Sequence, residues 1–153
     1  MPGLSFQIYG AGERWSDELL RRMRTGLLAV GRYWHQVYLK RHFRLGAFLE
    51  YGGVYQARSL KWTRRKLKKG IVSPLIWKGV LYRTLQGGAR IVGTERGVSV
   101  EMSGPSWLKG YMSMTKGRGG PDIVREIEAV SMRERDEMGE LLGRHLREGG
   151  VMI

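Results

Sequence analysis

Apolar side chains recur at Leu20, Met23, Leu27, Val30, Trp34 and Val37, at intervals of 3, 4, 3, 4 and 3 residues. That rhythm keeps one stripe on one side of an α-helix, so a helix is predicted from Asp17 to about Arg41 with these six residues as its core face. The other side carries Arg21, Arg22, Arg24, Thr25, Arg32, Gln36 and Lys40. Ser16 suits the N-cap, and Asp17 and Glu18 put negative charge where the helix dipole favours it. Such a rod is roughly 38 Å long at 1.5 Å per residue. Gly26 and Gly31 each cost about 1 kcal/mol relative to alanine, which is tolerable where a neighbour packs closely. The pattern is too short for a sustained coiled-coil seam.

Elsewhere the periods are shorter. Leu4, Phe6 and Ile8 alternate, which reads as a strand, and Gly10–Gly12 turns it into the long helix. Residues 42–55 have no clean period and are expected as a loop with one helical turn at Ala47–Glu50. Leu60, Leu67 and Trp62 are expected to anchor a short helix ending at Gly70. The apolar block from Pro74 predicts an extended entry, a turn near Gly79 and a short helix to about Leu85. Arg90–Thr94 and Val98–Met102 flank Glu95-Arg96-Gly97, a β-hairpin pattern. Trp107, Leu108, Tyr111 and Met112 form a buried face on a short helix, and Ile123–Ile127 reads as a last strand. Ser131-Met132-Arg133-Glu134 is a capping box that starts a helix bearing Met138, Leu141, Leu142 and His145. The expected class is α+β: a small antiparallel sheet with a long amphipathic N-terminal helix and a C-terminal helix packed on it. With no repeat and no composition break, residues 1–153 are expected as a single domain carrying an extended or mobile basic arm at about 42–73.

Charge changes this picture more than composition does. The net charge is +13. Residues 1–83 hold 17 Lys/Arg against 4 Asp/Glu, and residues 84–153 hold 10 of each. A one-sided basic surface suits nucleic acid or an acidic protein partner. The absence of cysteine removes disulfides and thiolate metal sites. No signal-peptide pattern and no apolar run of membrane-spanning length are present, so folding in a cytoplasm with no membrane partner is the expectation.

Candidate chemistry is sparse. His35, His42 and His145 have no metal-ligand spacing with acids and read as surface or helix-face residues. Glu134, Asp136, Glu137 and Glu140 crowd one stretch of the last helix and read as a solvated face, whereas catalytic carboxylates converge across a cleft. Gly117-Arg118-Gly119-Gly120 lacks the Lys-Ser/Thr ending of a phosphate loop, and no serine sits in a nucleophile elbow. The expectation is a protein that is not an enzyme and takes no cofactor or metal. The strong signal is the segment 57–70, in which seven of fourteen residues are cationic. Arg58, Lys61, Arg64, Arg65, Lys66, Lys68 and Lys69, with Trp62 among them, are candidates for partner docking or phosphate contact. So dense a run of like charge is expected to stay loosely held until a partner neutralises it.

Tyr55-x-x-Arg58-Ser59-x-Lys61-Trp62, then Arg65-Lys66, then the block Pro74, Leu75, Trp77, Gly79 and Leu81, resembles the middle of tailed-phage tail-completion proteins. These are also called virion morphogenesis or head–tail joining proteins. Pro105-Ser106-Trp107 matches their proline-aromatic turn, and Pro121–Ile127 followed by an acidic helix is similar to their C-terminal end. Lys78 stands where that family usually has Thr or Ser. The resemblance covers about two-thirds of the chain. It implies a structural subunit of the virion neck, made in the host cytoplasm, that assembles as a ring (a hexamer or a dodecamer) with itself and with neighbouring neck or tail proteins. It also implies no catalytic residues and acidic tail or portal surfaces as partners, with DNA passing through the ring as a second destination for the charge. The alternative is a non-sequence-specific nucleic-acid-binding protein that uses residues 58–69.

Overall fold

Ser16 opens the long helix as its sequence predicts, its hydroxyl accepting from the Leu19 amide at 3.3 Å. In this computed structural model the residues described are 3–7 (backbone only), 16–44, 46–72, 75, 79–108 and 122–148. Helix α1 spans Asp17–Tyr33. Met23, Leu27, Val30 and Trp34 are buried, Leu27 and Trp34 completely. The ends of the predicted stripe differ: Leu20 and Val37 are half-buried. At the far end the reason is local. Trp34–Tyr38 forms a π-turn, and Leu39–Arg41 continues helically. A π-turn takes up an extra residue per turn, so the position beneath Trp34 passes from Val37 to Tyr38. Tyr38 is accordingly fully buried, and its hydroxyl donates to Glu137.

The chain divides into two compact units. Unit 1 comprises residues 1–38, 89–102 and 132–153, and unit 2 comprises 39–88 and 103–131. The class is α+β.

In unit 1, strands β1 (Gly3–Gln7), β2 (Ala89–Gly93) and β3 (Gly97–Met102) form an antiparallel sheet ordered β1-β3-β2. Leu4 and Ile91 both stand opposite Val100. The hairpin closes at Thr94, whose amide donates to the Gly97 carbonyl at 2.8 Å and whose hydroxyl accepts from the Arg96 and Gly97 amides. Val98, Val100 and Met102 alternate inward along β3. Helix α1 packs on this face, and on its other flank meets the C-terminal helix, Met132–Glu148. Its two glycines mark these approaches. A Cβ on Gly31 would stand 2.6 Å from Val98 Cγ2 and 3.0 Å from Ile91 Cγ2. One on Gly26 would stand 2.7 Å from Leu142 Cδ1. The C-terminal helix buries Met138, Leu142 and His145 on this side, with Leu141 half-buried. Glu134, expected on a solvated face with Asp136, Glu137 and Glu140, is instead fully buried. Glu137 is engaged by Tyr38 and Arg133, leaving Asp136 and Glu140 exposed.

Unit 2 holds the short helices α2 (Ala47–Glu50), α3 (Leu60–Leu67), α4 (Val80–Gly87) and α5 (Ile123–Glu128); the C-terminal helix of unit 1 is α6. Helices α2 and α3 fall inside residues 42–73, the predicted extended arm. Gly79 precedes α4 with φ +71°, a left-handed position that suits glycine. Leu75, Leu81 and Leu85 are buried. Pro74, Ile76, Trp77 and Lys78 of the same block lie outside the described residues, as do Ile8, Gly10–Gly12, Tyr111, Met112 and 116–120. Leu108 is buried but its neighbour Trp107 is largely exposed, so the two do not share the buried face that was predicted. Residues 123–127 are helical and not a strand. Asp122 caps the Arg125 amide at 3.0 Å, and the turn it starts brings Glu126 and Ile127 inward.

Three substitutions test this packing in unit 1. Gly31→Ala should lower stability by about 1–3 kcal/mol, because the added methyl overpacks the valine contact. Gly139→Ala, with nothing within 4 Å of its Cβ position, should raise it by about 0.5–1 kcal/mol. Trp34→Ala should cost about 3–5 kcal/mol. Urea denaturation of the three variants measures all of these, and a stabilised Gly31→Ala would mean the sheet does not press on α1.

Candidate partner-docking site

Nearly all the charge excess sits in unit 2. It carries sixteen Lys/Arg against four Asp/Glu, a net +12, while unit 1 carries eleven against ten, a net +1. The densest part is α3. Ser59 starts it, its hydroxyl accepting from the Trp62 amide at 3.3 Å, and Gly70 ends it with φ +68°. The Ile71 amide then donates back to the Lys66 carbonyl at 3.0 Å, folding the exit against the helix.

The eight predicted site residues separate into two groups. Lys61, Arg64, Arg65, Lys68 and Lys69 are exposed. Arg58, Trp62 and Lys66 face inward. Leu60 and Leu67, expected as anchors, are 75% and 56% exposed, whereas Lys66 is only 3% exposed. Its ammonium nitrogen lies 4.4 Å from the centre of the Trp62 ring, where the π-face offsets part of the lost hydration. Burial, and after it the Arg58 charge, pulls the Lys66 pKa down to about 8.

Arg58 is committed elsewhere. Its guanidinium forks onto Glu126, one nitrogen donating to Oε1 at 2.7 Å and the other to Oε2, and it also donates to the Gln56 carbonyl. The Gln56 amide donates to the same carboxylate at 2.9 Å. Glu126 is fully buried and Arg58 nearly so. Bidentate, charge-assisted pairing of this kind is what allows a carboxylate to be held without water. Sequence reading missed Glu126. Its one signal is an acid set among Ile123, Val124 and Ile127.

His42, expected at the surface, is fully buried. Its ring stacks on Tyr51 at 4.1 Å between centroids, and its Nδ1 lies 3.0 Å from the Tyr55 hydroxyl, which donates to the His42 carbonyl. Burial pushes its pKa down to about 4, against an opposing hydrogen bond with the Glu126 backbone.

One side of α3 borders a cleft of about 350 Å³. Trp62, Thr63, Lys66 and Leu67 line it from the helix; Tyr55, Gln56, Ala57 and Arg58 line it from the preceding segment, and Phe48, Ile71 and Val72 complete it. Phe48, Leu67 and Val72 are each more than half exposed. The cleft is mainly apolar, with a buried ammonium in its wall. No sequence period pointed to Phe48, Ile71 or Val72, because the turns at Gly53 and Gly70 bring them beside α3. Among the described residues no group of three His, Asp or Glu is placed to hold a metal ion. No helix among them is long and apolar enough to cross a membrane. Comparison with protein families, curated proteins and solved structures gives no match.

Arg58→Ala strips a buried carboxylate of its countercharge and should cost about 3–5 kcal/mol. Arg64→Ala, on an exposed cation, should stay within about 0.5 kcal/mol of wild type. Thermal melts that treat the two alike would mean the Arg58–Glu126 pair is not holding unit 2. For His42 the unfolded ring titrates near 6.5 and the folded ring near 4. Between these values the unfolded chain holds the extra proton, so this contribution is full above pH 6.5 and is lost as the pH falls toward 4. The slope is about 1.4 kcal/mol per pH unit. Denaturant midpoints across that window should show it, and His42→Phe should flatten it.

Proposed function

We propose that this chain is a structural subunit that docks on an acidic protein surface through α3 and its surroundings. We place it, by the resemblance to tail-completion proteins, at the neck of a tailed-phage virion. There it would act as a tail-completion or connector ring subunit joining tail to head, in contact with its own copies and with neighbouring neck proteins. The observation that carries docking is the pairing, on one short helix and the turn that ends it, of five exposed cations with an apolar-lined cleft. Phosphate backbones need the cations but have no use for exposed Phe48, Leu67 and Val72. A protein surface uses both, since interface cores are apolar and aromatic with a polar rim. Unit 1 has what a ring subunit needs besides, a packed helix–sheet core. The second reading, non-sequence-specific nucleic-acid binding, rests on the same five cations together with Trp62.

Reversing Arg64, Arg65, Lys68 and Lys69 to Glu separates the two. All four are exposed, so the variant should fold. Docking predicts that it fails to join heads to tails in an in vitro assembly assay, while wild type binds random duplex weakly at physiological salt. Tight duplex binding, weakening on a log–log salt plot by about 0.9 per phosphate neutralised, together with unimpaired joining by the variant, would sink the docking reading.

A further inference from the structure

Helix α3 sorts its exposed side chains by side. At about 100° per residue, Leu60 and Leu67 fall within about 20° of one line along the helix, and Thr63 lies about 60° to one side of Leu60. Both leucines are largely exposed. The Thr63 hydroxyl already donates to the Ser59 carbonyl at 3.1 Å, so a partner can cover it without stranding a polar group. Arg64, Lys61 and Arg65, with Lys68 at the helical C-cap, all fall on the other side of the line, between about 40° and 140° from Leu60. All four are exposed. On the Thr63 side the cleft begins, and Phe48, Ile71 and Val72 continue the apolar surface across it. The exposed part of α3 is therefore an apolar line with cations along one flank and an apolar rim along the other.

We propose that this line seats an amphipathic helix of a partner protein whose carboxylates lie along a single flank of its own apolar stripe. The inference rests on the docking reading above and adds the shape and charge pattern of the partner. Spacing selects a helix. Leu60, Thr63 and Leu67 stand at i, i+3 and i+7, the seam along which helices pack, and two turns of a partner repeat at the same ~10.5 Å interval. Unit 2 has no strand among its described residues, so an extended segment finds no sheet edge there to extend. The one-sided charge selects the flank. Carboxylates on the cation side meet four cations, whereas on the cleft side they would face Phe48, Ile71 and Val72 and lose water without a countercharge. A second copy of this chain does not supply such a helix, since unit 2 is strongly basic and α6 exposes four arginines against three carboxylates.

Three stapled helical peptides of identical composition serve as probes, each two heptads long with Leu at every a and d position. One carries its Glu residues at the e positions, one at the g positions and one at the outer b positions, with Gln at the remainder. Amide NMR titration of the full chain, followed at residues 59–72, should show either the e or the g peptide binding about five- to tenfold tighter than the other two. Which of them wins reports the direction of the partner helix. Leu60→Gln combined with Leu67→Gln should weaken the winning peptide about tenfold while heparin affinity, which reads the cations, is kept. Both leucines are exposed, so this variant should fold, and a melting curve establishes that it does. Lys61→Gln combined with Arg64→Gln should remove most of the difference between the e and g peptides. Equal binding of those two peptides, indifference to the leucine changes, or no binding of any peptide would overturn the inference. If no peptide binds and the four-Glu variant still fails to join heads to tails, the helix is wrong and the docking reading survives. If no peptide binds and the four-Glu variant joins normally, both fall.

Discussion

A carboxylate with no exposure to water has to find all its partners inside the protein, and Glu126 is the case on which unit 2 depends. Two guanidinium nitrogens and the Gln56 amide meet its oxygens, and its backbone reaches the ring of His42. Those contacts tie together pieces far apart in sequence: α5, the extended run 56–58 that leads into α3, and the helical end that carries His42 with its tyrosine stack. Removing any one piece leaves a charge or a ring nitrogen in a dry environment, which costs more than the contact itself contributes. The position of α3 follows from this. Ser59 begins the helix one residue after Arg58, so the ion pair sets where the cationic face starts. It also keeps Arg58 from acting as one more surface charge.

How much of this was legible in the chain varies with the kind of signal. The 3,4 spacing of Met23, Leu27, Val30 and Trp34 found the long helix, because a repeated apolar stripe has one economical burial. It failed at Val37, since a π-turn leaves no mark in a hydropathy pattern yet shifts every later residue by one position. The hairpin was readable from its flanking β-branched residues and Gly97. In α3 the rule that leucines go in and lysines go out was inverted at Leu60, Leu67 and Lys66. Periodicity cannot see that a lysine ammonium sits over a tryptophan face, because the ring that accepts it, Trp62, counts only as another apolar residue. Glu126 made residues 123–127 look like a strand with one odd acid. Its partner is 68 positions away, and single-sequence reasoning has no access to that distance.

The charge asymmetry of the sequence, read as a first half against a second, becomes an asymmetry between two units. The boundary is not a point in the chain, since unit 2 is inserted between pieces of unit 1 and draws on both halves. One unit therefore carries a helix–sheet core with nearly balanced charge, and the other carries the cations, the cleft and the exposed apolar residues.

A unit of net +12 also has a colloidal consequence. Copies of it repel one another, which keeps free protein dispersed and opposes gathering of these units in dilute buffer. Whatever covers the cations with carboxylates removes that repulsion at the same moment. Any ligand that neutralised the cations would therefore also lower the cost of crowding copies together.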